Sequence, residues 1–152
     1  MSLFLVQHGK NLPKDVDPEK GLSNEGKEEV KRIASLAGEH AIPVSAIKHS
    51  GKKRARETAE LFMEALNPVE GVRQIEGLSP LDDVTKLDVK AEQNVMLVGH
   101  LPFMEKLTSY LVTGSSDRPP VLKFQNGGIA CLDRDEASNS WFIKWTLFPR
   151  IL

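Results

Sequence analysis

The chain has 152 residues, with 20 Lys and Arg against 21 Asp and Glu, and 40% of its residues are hydrophobic. This length favours one domain, residues 1–152, because two domains would each be too small to form a good hydrophobic core. The net charge of −1 argues against a nucleic-acid binder, and the one cysteine excludes a disulfide framework and a thiolate metal cluster. The early apolar run Leu3–Val6 is too short for a signal peptide or a membrane span, so we expect a soluble, cytoplasmic protein that does not contact membranes.

Short apolar runs alternate with amphipathic segments through most of the chain. The short runs predict four strands, over Leu3–Val6, Val44–Ile47, Val72–Ile75 and Asn94–Gly99. Apolar residues at helical spacing predict helices that begin at Ser23, at Ser50 and at Pro102. We expect the first helix to end near Gly38, because glycine is typical of helix C-termini.

The pattern changes beyond Gly114, where three further strands are predicted: Val121–Phe124, Gly128–Leu132 and Trp141–Leu147. Asn126-Gly127 is typical of a hairpin turn and is expected to join the first two of them. Trp141 and Trp145 are four residues apart, so in a regular strand they would share one face. Strand–helix units followed by a β-rich end predict an α/β sandwich with a mixed, mostly parallel sheet and antiparallel edge strands.

Polar side chains follow three of the predicted strands. The first strand ends in Gln7-His8-Gly9, the second leads through Ser50 to Arg54, and the fourth ends in Gly99-His100. Ligands of open α/β sheets bind outside the carboxyl ends of the strands. We therefore expect two histidines and one arginine to converge on a single rim of the sheet.

These segments resemble the motifs of the histidine phosphatase superfamily, the phosphoglycerate-mutase-like proteins. Gln7-His8-Gly9 is similar to its Arg-His-Gly signature, and Ser50-x-x-x-Arg54-x-x-x-Thr58 is similar to its second phosphate-binding motif. Val98–Pro102 looks like its second catalytic-histidine motif, in the short form typical of bacterial phosphohistidine phosphatases of the SixA type. The resemblance extends from Leu3 to Trp145 and implies a three-layer α/β/α sandwich.

The resemblance also implies a phosphatase that forms a phosphohistidine intermediate and needs no metal or cofactor. His8 would be the nucleophile, because a neutral imidazole offers a lone pair near neutral pH. Arg54 and His100 would hold the oxygens of the transferred phosphoryl group. Inorganic phosphate or sulfate should occupy the same place, and the remaining phosphate-binding residues would be Gln7, Gly9 and Ser50.

Two departures from the family pattern bear on activity and substrate. Gln7 replaces the family's arginine with a neutral amide, which predicts a slower or differently tuned enzyme rather than an inactive one. No carboxylate stands where mutase-type relatives carry an acidic residue; the nearby candidate acids are Glu76, Asp82 and Asp83. An alkoxide leaving group needs such an acid, whereas a protonated imidazole leaves readily. A phosphohistidine substrate is therefore favoured over a sugar phosphate.

Three functions remain open at this point. The first is a phosphatase that removes phosphate from histidine on signal-transduction proteins such as phosphotransfer domains. The second is a small-molecule phosphomonoesterase that uses the same site. The third is a phosphoryl-binding module that has lost turnover through the replacement at Gln7.

Overall fold

The computed structural model describes residues 1–151, which form one six-stranded sheet flanked by three helices. In chain order, the elements are β1 (Ser2–Gln7), α1 (Asn24–Glu39), β2 (Ala46–His49), α2 (Lys53–Leu66), β3 (Val72–Gln74), a 3₁₀ turn (Val84–Lys86), β4 (Val95–Gly99), α3 (Phe103–Thr113), β5 (Ile129–Asp135) and β6 (Ser140–Leu147). The sheet order is β3-β2-β4-β1-β5-β6; the first four strands are parallel, and β5 and β6 are antiparallel. The predicted mixed, mostly parallel sheet is confirmed.

Strand β1 shows how the helices cover the sheet. All of its residues are buried, and alternate side chains point to opposite faces. Phe4 and Val6 pack in one cluster with apolar residues of α1 and α2, whereas Leu3 and Leu5 pack in another with residues of α3. The sheet therefore lies between a layer of two helices and a layer of one, which is the predicted three-layer sandwich.

The helix termini follow the local sequence. Ser23 caps α1, because its hydroxyl oxygen accepts a hydrogen bond from the Gly26 N–H at 3.0 Å. The helix ends at Glu39, one residue beyond the expected Gly38. Within residues 1–151, none of the helices is both long and apolar enough to span a membrane.

The prediction of a strand over Val121–Phe124 is wrong, and with it the hairpin turn at Asn126-Gly127. Strand β5 already pairs with β1 on one side and β6 on the other, so no edge is open to this segment. Its N–H groups bond to α3 side chains instead: Val121 donates to Ser109 Oγ at 3.3 Å, and Phe124 donates to Glu105 Oε2 at 3.0 Å.

The expectation that Trp141 and Trp145 share one face is also wrong. Cys131 is paired with Trp145 but Leu132 is paired with Ile143, so Lys144 is an extra residue in β6. Such a bulge reverses the alternation of side chains beyond it. Trp141 consequently joins the cluster on the α3 side, whereas Trp145 packs on the side of α1 and α2.

Candidate active site

The carboxyl ends of three adjacent parallel strands form the rim that carries the candidate residues. His8 follows β1, His100 follows β4 and Ser50 follows β2, and these strands are neighbours in the order β2-β4-β1. The His8 N–H donates to the Gly99 carbonyl at 3.0 Å, which extends the β1–β4 ladder into the rim. The His8 and His100 rings lie 5.0 Å apart between centroids, at an interplanar angle of 51°. The predicted convergence of the two histidines is thus observed.

His8 is buried, and its ring nitrogens have different environments. Nδ1 lies 2.7 Å from the Gly9 carbonyl oxygen. Because a carbonyl can only accept, the ring proton resides on Nδ1, and Nε2 keeps its lone pair. Burial lowers the pKa of His8 from 6.5 to about 4; the bond to Gly9 opposes this shift, and the charges of Arg54 and Lys20 add to it. His8 is therefore a neutral imidazole at physiological pH.

His100 is almost completely buried and contacts the end of β2. Its Nε2 lies 2.6 Å from Ser50 Oγ, and its Nδ1 is buried without a hydrogen-bonding partner in residues 1–151. Burial, with smaller contributions from His8, Arg54 and Lys52, lowers the pKa of His100 to about 3. The site thus contains two neutral imidazoles, one of which has an unsatisfied polar atom.

Arg54 supplies the permanent positive charge of the site. It lies in the first turn of α2, is half-buried, and bonds to no other side chain of the described residues. Burial lowers its pKa, although a guanidinium stays charged at any physiological pH. A half-buried cation without a counter-ion favours an anionic ligand, and the helix N-terminus adds to that preference.

The charge of Lys20 influences His8, which the sequence did not reveal. It acts electrostatically on His8 from the loop between β1 and α1. The loop is held by Asp17, which accepts hydrogen bonds from the Gly21 N–H and from Lys53 Nζ, both at 2.9 Å. No motif surrounds Lys20, so only the folded path of the loop reveals it.

Gly9 and Gln7 occupy surroundings that the strand-end pattern does not specify. A Cβ at Gly9 would lie 2.7 Å from Val30 Cγ2, so glycine is needed here for the close packing of α1. Gln7 lines a cavity of about 320 Å³ together with Leu101 and Asn126, and its buried Oε1 has no partner within residues 1–151. Contacts of Gln7 and Gly9 with phosphate remain predictions.

The three candidate acids line a second cavity, of about 570 Å³, that adjoins the rim at Ser50. Asp82 accepts a hydrogen bond from the Ser79 N–H at 2.9 Å. Asp83 accepts bonds from the Thr85 side chain and N–H, which lower the pKa of this carboxyl and keep it ionised. Glu76 is exposed and is the carboxyl of the three without a structural hydrogen bond.

A metal centre would need ligands that these residues do not bring together. Among residues 1–151, no three or more His, Cys, Asp or Glu side chains are grouped closely enough to hold a metal ion. The chemistry open to this arrangement is transfer of an anionic group to the free Nε2 of His8, with the charge balanced by Arg54.

The chain matches known proteins by its fold. No protein-family model matches the sequence, and no curated protein matches it. Solved structures do match. The structure of the protein histidine phosphatase SixA complexed with tungstate has a TM-score of 0.82 and 24% identity, covering 98% of this chain and 97% of that one. A structure from Agrobacterium tumefaciens, provisionally named a phosphohistidine phosphatase SixA, has a TM-score of 0.76 and 27% identity, with 96% of both chains covered.

A third matching structure is that of a phosphatase named for a small-molecule substrate. The mycobacterial glucosyl-3-phosphoglycerate phosphatase in complex with VO3 has a TM-score of 0.71 and 15% identity, covering 95% of this chain and 97% of that one. The matches therefore include structures named for a protein substrate and for a small-molecule substrate. The chain has the histidine phosphatase fold, and its resemblance to the histidine phosphatase superfamily is confirmed by the structures that it matches.

Proposed function

We propose that the chain is a phosphatase that works through a phosphohistidine at His8. The observation that carries this proposal is the neutral His8 ring, tied through Nδ1 to the Gly9 carbonyl at 2.7 Å and 5.0 Å from the His100 ring. A buried imidazole with a free Nε2, close enough to Arg54 for that charge to lower its pKa, is equipped to attack an anionic phosphoryl group, and Arg54 bonds to no side chain of residues 1–151.

The reaction has two displacement steps. In the first, His8 Nε2 forms a bond to phosphorus while the bond from phosphorus to the leaving group breaks. In the second, water attacks the phosphohistidine, the phosphorus–nitrogen bond breaks, and inorganic phosphate leaves with His8 restored. Catalysis of this kind relies on positioning and on electrostatic stabilisation of the oxygens in transfer.

Arg54 and His100 stabilise those oxygens. The guanidinium donates two parallel hydrogen bonds to the phosphoryl group. When His100 Nε2–H donates to Ser50 Oγ, 2.6 Å away, the Ser50 hydroxyl proton is free to donate to a phosphoryl oxygen at the rim. His100 then acts on the phosphoryl group through Ser50, which lies at the carboxyl end of β2 and is partly exposed.

The favoured substrate is phosphohistidine on a protein. The cavity beside Ser50 is open and broad enough, at about 570 Å³, to admit a side chain presented by another molecule. Asp83 is held ionised, so it is a poor proton donor for an alkoxide leaving group, whereas an imidazole leaving group needs no such donor. A small-molecule phosphomonoesterase is the second candidate, because Glu76 lines the same cavity without a structural bond.

The decisive experiment is hydrolysis of an aryl phosphate by the wild type, by His8→Ala and by the control His40→Ala. His40 is an exposed histidine at the end of α1. We expect His8→Ala to lose activity by about 10³-fold or more, and a quenched reaction of the wild type to contain acid-labile phosphate on the chain. Turnover that survives in His8→Ala would contradict the proposal, and a wild type that binds phosphate without turnover would indicate a binding module.

Two further measurements define the substrate and the metal requirement. The kcat/KM should be higher for a phosphohistidine peptide than for sugar phosphates. A higher kcat/KM for sugar phosphates would indicate a small-molecule phosphatase. Vanadate should inhibit competitively, and EDTA should leave the rate unchanged. A loss of activity with EDTA that Mg²⁺ or Zn²⁺ restores would contradict metal-independent transfer.

A further inference from the structure

The peptide group that joins His8 to Gly9 is held at both of its ends by side chains from distant parts of the chain. Its carbonyl oxygen, on His8, accepts from Asn126 Nδ2 at 3.0 Å and, at 3.3 Å, shares the Gly127 N–H with the Gln7 carbonyl, to which that N–H is closer at 2.9 Å. Its N–H, on Gly9, donates to Thr58 Oγ1 at 2.9 Å. A peptide group fixed at both ends cannot rotate about the neighbouring single bonds without breaking a hydrogen bond.

Thr58 also connects this peptide to the helix that carries Arg54. The Thr58 side chain is fully buried, and its hydroxyl donates to the Arg54 carbonyl at 2.7 Å while its oxygen accepts from Gly9. The donor and the acceptor function of one hydroxyl are therefore both used, which fixes the direction of each bond. The main chain at His8 and the first turn of α2 are held together through a single oxygen atom.

Gly9 makes this restraint relevant to chemistry. Its own carbonyl, in the next peptide group, is the acceptor for His8 Nδ1, and the held peptide group is the link between the His8 ring and that carbonyl, so a turn of the held group would move the two apart. If the carbonyl turned away, the Nδ1 proton would lose its acceptor, and the alternative tautomer would place the proton on Nε2. Nε2 would then have no lone pair for attack on phosphorus.

We propose that Thr58 and Asn126 are positioning residues, which hold the His8–Gly9 peptide so that the Gly9 carbonyl keeps the His8 ring proton on Nδ1. This inference rests on the proposed role of His8 as the nucleophile. Neither side chain touches the reacting atoms; both act through the main chain on which the nucleophile depends.

The matched control is Thr108, because it reproduces the local environment of Thr58 in another helix. Thr108 is also fully buried, and its hydroxyl donates to the carbonyl four residues earlier, that of Met104, at 2.8 Å. Thr58→Val and Thr108→Val therefore remove the same helical hydrogen bond from the same kind of site. They differ in the bond to Gly9, which only Thr58 makes.

The test combines kinetics with a direct view of the histidine tautomer. We expect Thr58→Val to lower kcat by about 10-fold to 100-fold with a smaller change in KM, Thr58→Ser to stay within about twofold of the wild type, and Thr108→Val to lower only the Tm. ¹⁵N NMR of the imidazole should show the Nε2–H tautomer of His8 appearing in Thr58→Val. Asn126→Leu should produce the same signature, and the double variant should lose less than the product of the single losses.

The outcomes separate this inference from the proposed function. If folded Thr58→Val and Asn126→Leu keep kcat within about twofold of Thr108→Val and retain the Nδ1–H tautomer, the positioning role is overturned. If Thr58→Val fails to fold, Asn126→Leu decides the question by the same two readouts. If the wild type has no His8-dependent turnover, the proposed function fails, and the NMR comparison still tests the effect on the tautomer.

Discussion

The parallel part of the sheet and the segment after α3 both reach His8, but they contribute different things. The parallel part supplies the two histidines and the arginine of the candidate site, since His8, Arg54 and His100 follow β1, β2 and β4. The segment after α3 supplies neutral hydrogen bonds, from Asn126 to the His8 carbonyl and from the Gly127 N–H to the carbonyls of Gln7 and His8. Reactive groups are thus placed by strand ends, whereas their orientation also depends on a turn far along the chain.

This division predicts different consequences for substitutions in the two regions. Changes at the strand ends should alter catalysis with little effect on stability, because the side chains concerned make few structural bonds. Changes in the core of the antiparallel part should lower stability and leave the chemistry intact.

Arg54→Ala should cause the largest loss in this set. Removing the unpaired guanidinium should lower kcat/KM for an aryl phosphate by about 10²- to 10³-fold, the usual cost of deleting a donor that stabilises transition-state charge. Arg56→Ala is the control, because Arg56 is two residues away, is exposed, and pairs with Glu60 at 3.5 Å. An equal loss of kcat/KM in both variants would mean that the overall positive charge near the site, and not a specific contact of Arg54 with the phosphoryl group, promotes the reaction.

The pH dependence should show an acid limb far below that of an ordinary histidine. Attack requires neutral His8, and burial lowers the pKa of His8 to about 4, so kcat/KM corrected for substrate ionisation should remain level down to about pH 5. A midpoint near 6.5 would contradict the burial of the nucleophile. The same shift affects folding: the unfolded chain binds this proton more tightly, so the stability present above pH 6.5 is lost as the pH falls through 6.5 towards 4.

Trp141→Ala should destabilise the fold without changing the reaction. Trp141 is buried in the cluster on the α3 side, and deleting such a side chain costs about 3–5 kcal/mol in free energy of unfolding. The control is Phe142→Ala, because Phe142 is the next residue of β6 and is 44% exposed. Urea unfolding and kcat should be measured together; a large fall in kcat at a temperature where Trp141→Ala is folded would show that β6 influences the rim directly.

Gln7→Arg tests the residue that departs from the family pattern and should have the smallest effect. A guanidinium beside the nucleophile should raise kcat/KM by up to about tenfold, and its charge should lower the pKa of His8 and move the acid limb to lower pH. Gln93→Arg, at an exposed position, controls for the added charge. An unchanged rate and acid limb would mean that Gln7 faces only the cavity that it shares with Asn126.

The sequence predicts the parallel part better than the rest, for a physical reason. Strands covered on both faces must be apolar throughout, so Leu3–Val6 and Asn94–Gly99 stand out without any knowledge of their partners. The residues that directly follow each run then lie at the rim. His8 and His100 could be placed by this rule, and the structure brings them within 5.0 Å between ring centroids.

The features that the sequence does not reveal depend on pairing between distant segments. Val121–Phe124 has the composition of a strand, but β6 occupies the edge that it would need. The bulge at Lys144 follows from the register of β5 against β6, which no local pattern encodes. The role of Asn126 is hidden for the same reason, because its bond to the His8 carbonyl spans 118 residues.

The bulge in β6 also bears on how the protein behaves at high concentration. As the last strand of the sheet, β6 presents eight residues with one side unpaired, and such a strand can pair with the same strand of another molecule and start aggregation. The extra residue at the bulge is a lysine whose side chain is 54% exposed. An irregular backbone and a charge in the middle of the strand both oppose intermolecular pairing. The opposite edge, β3, is protected more simply, because it is only three residues long.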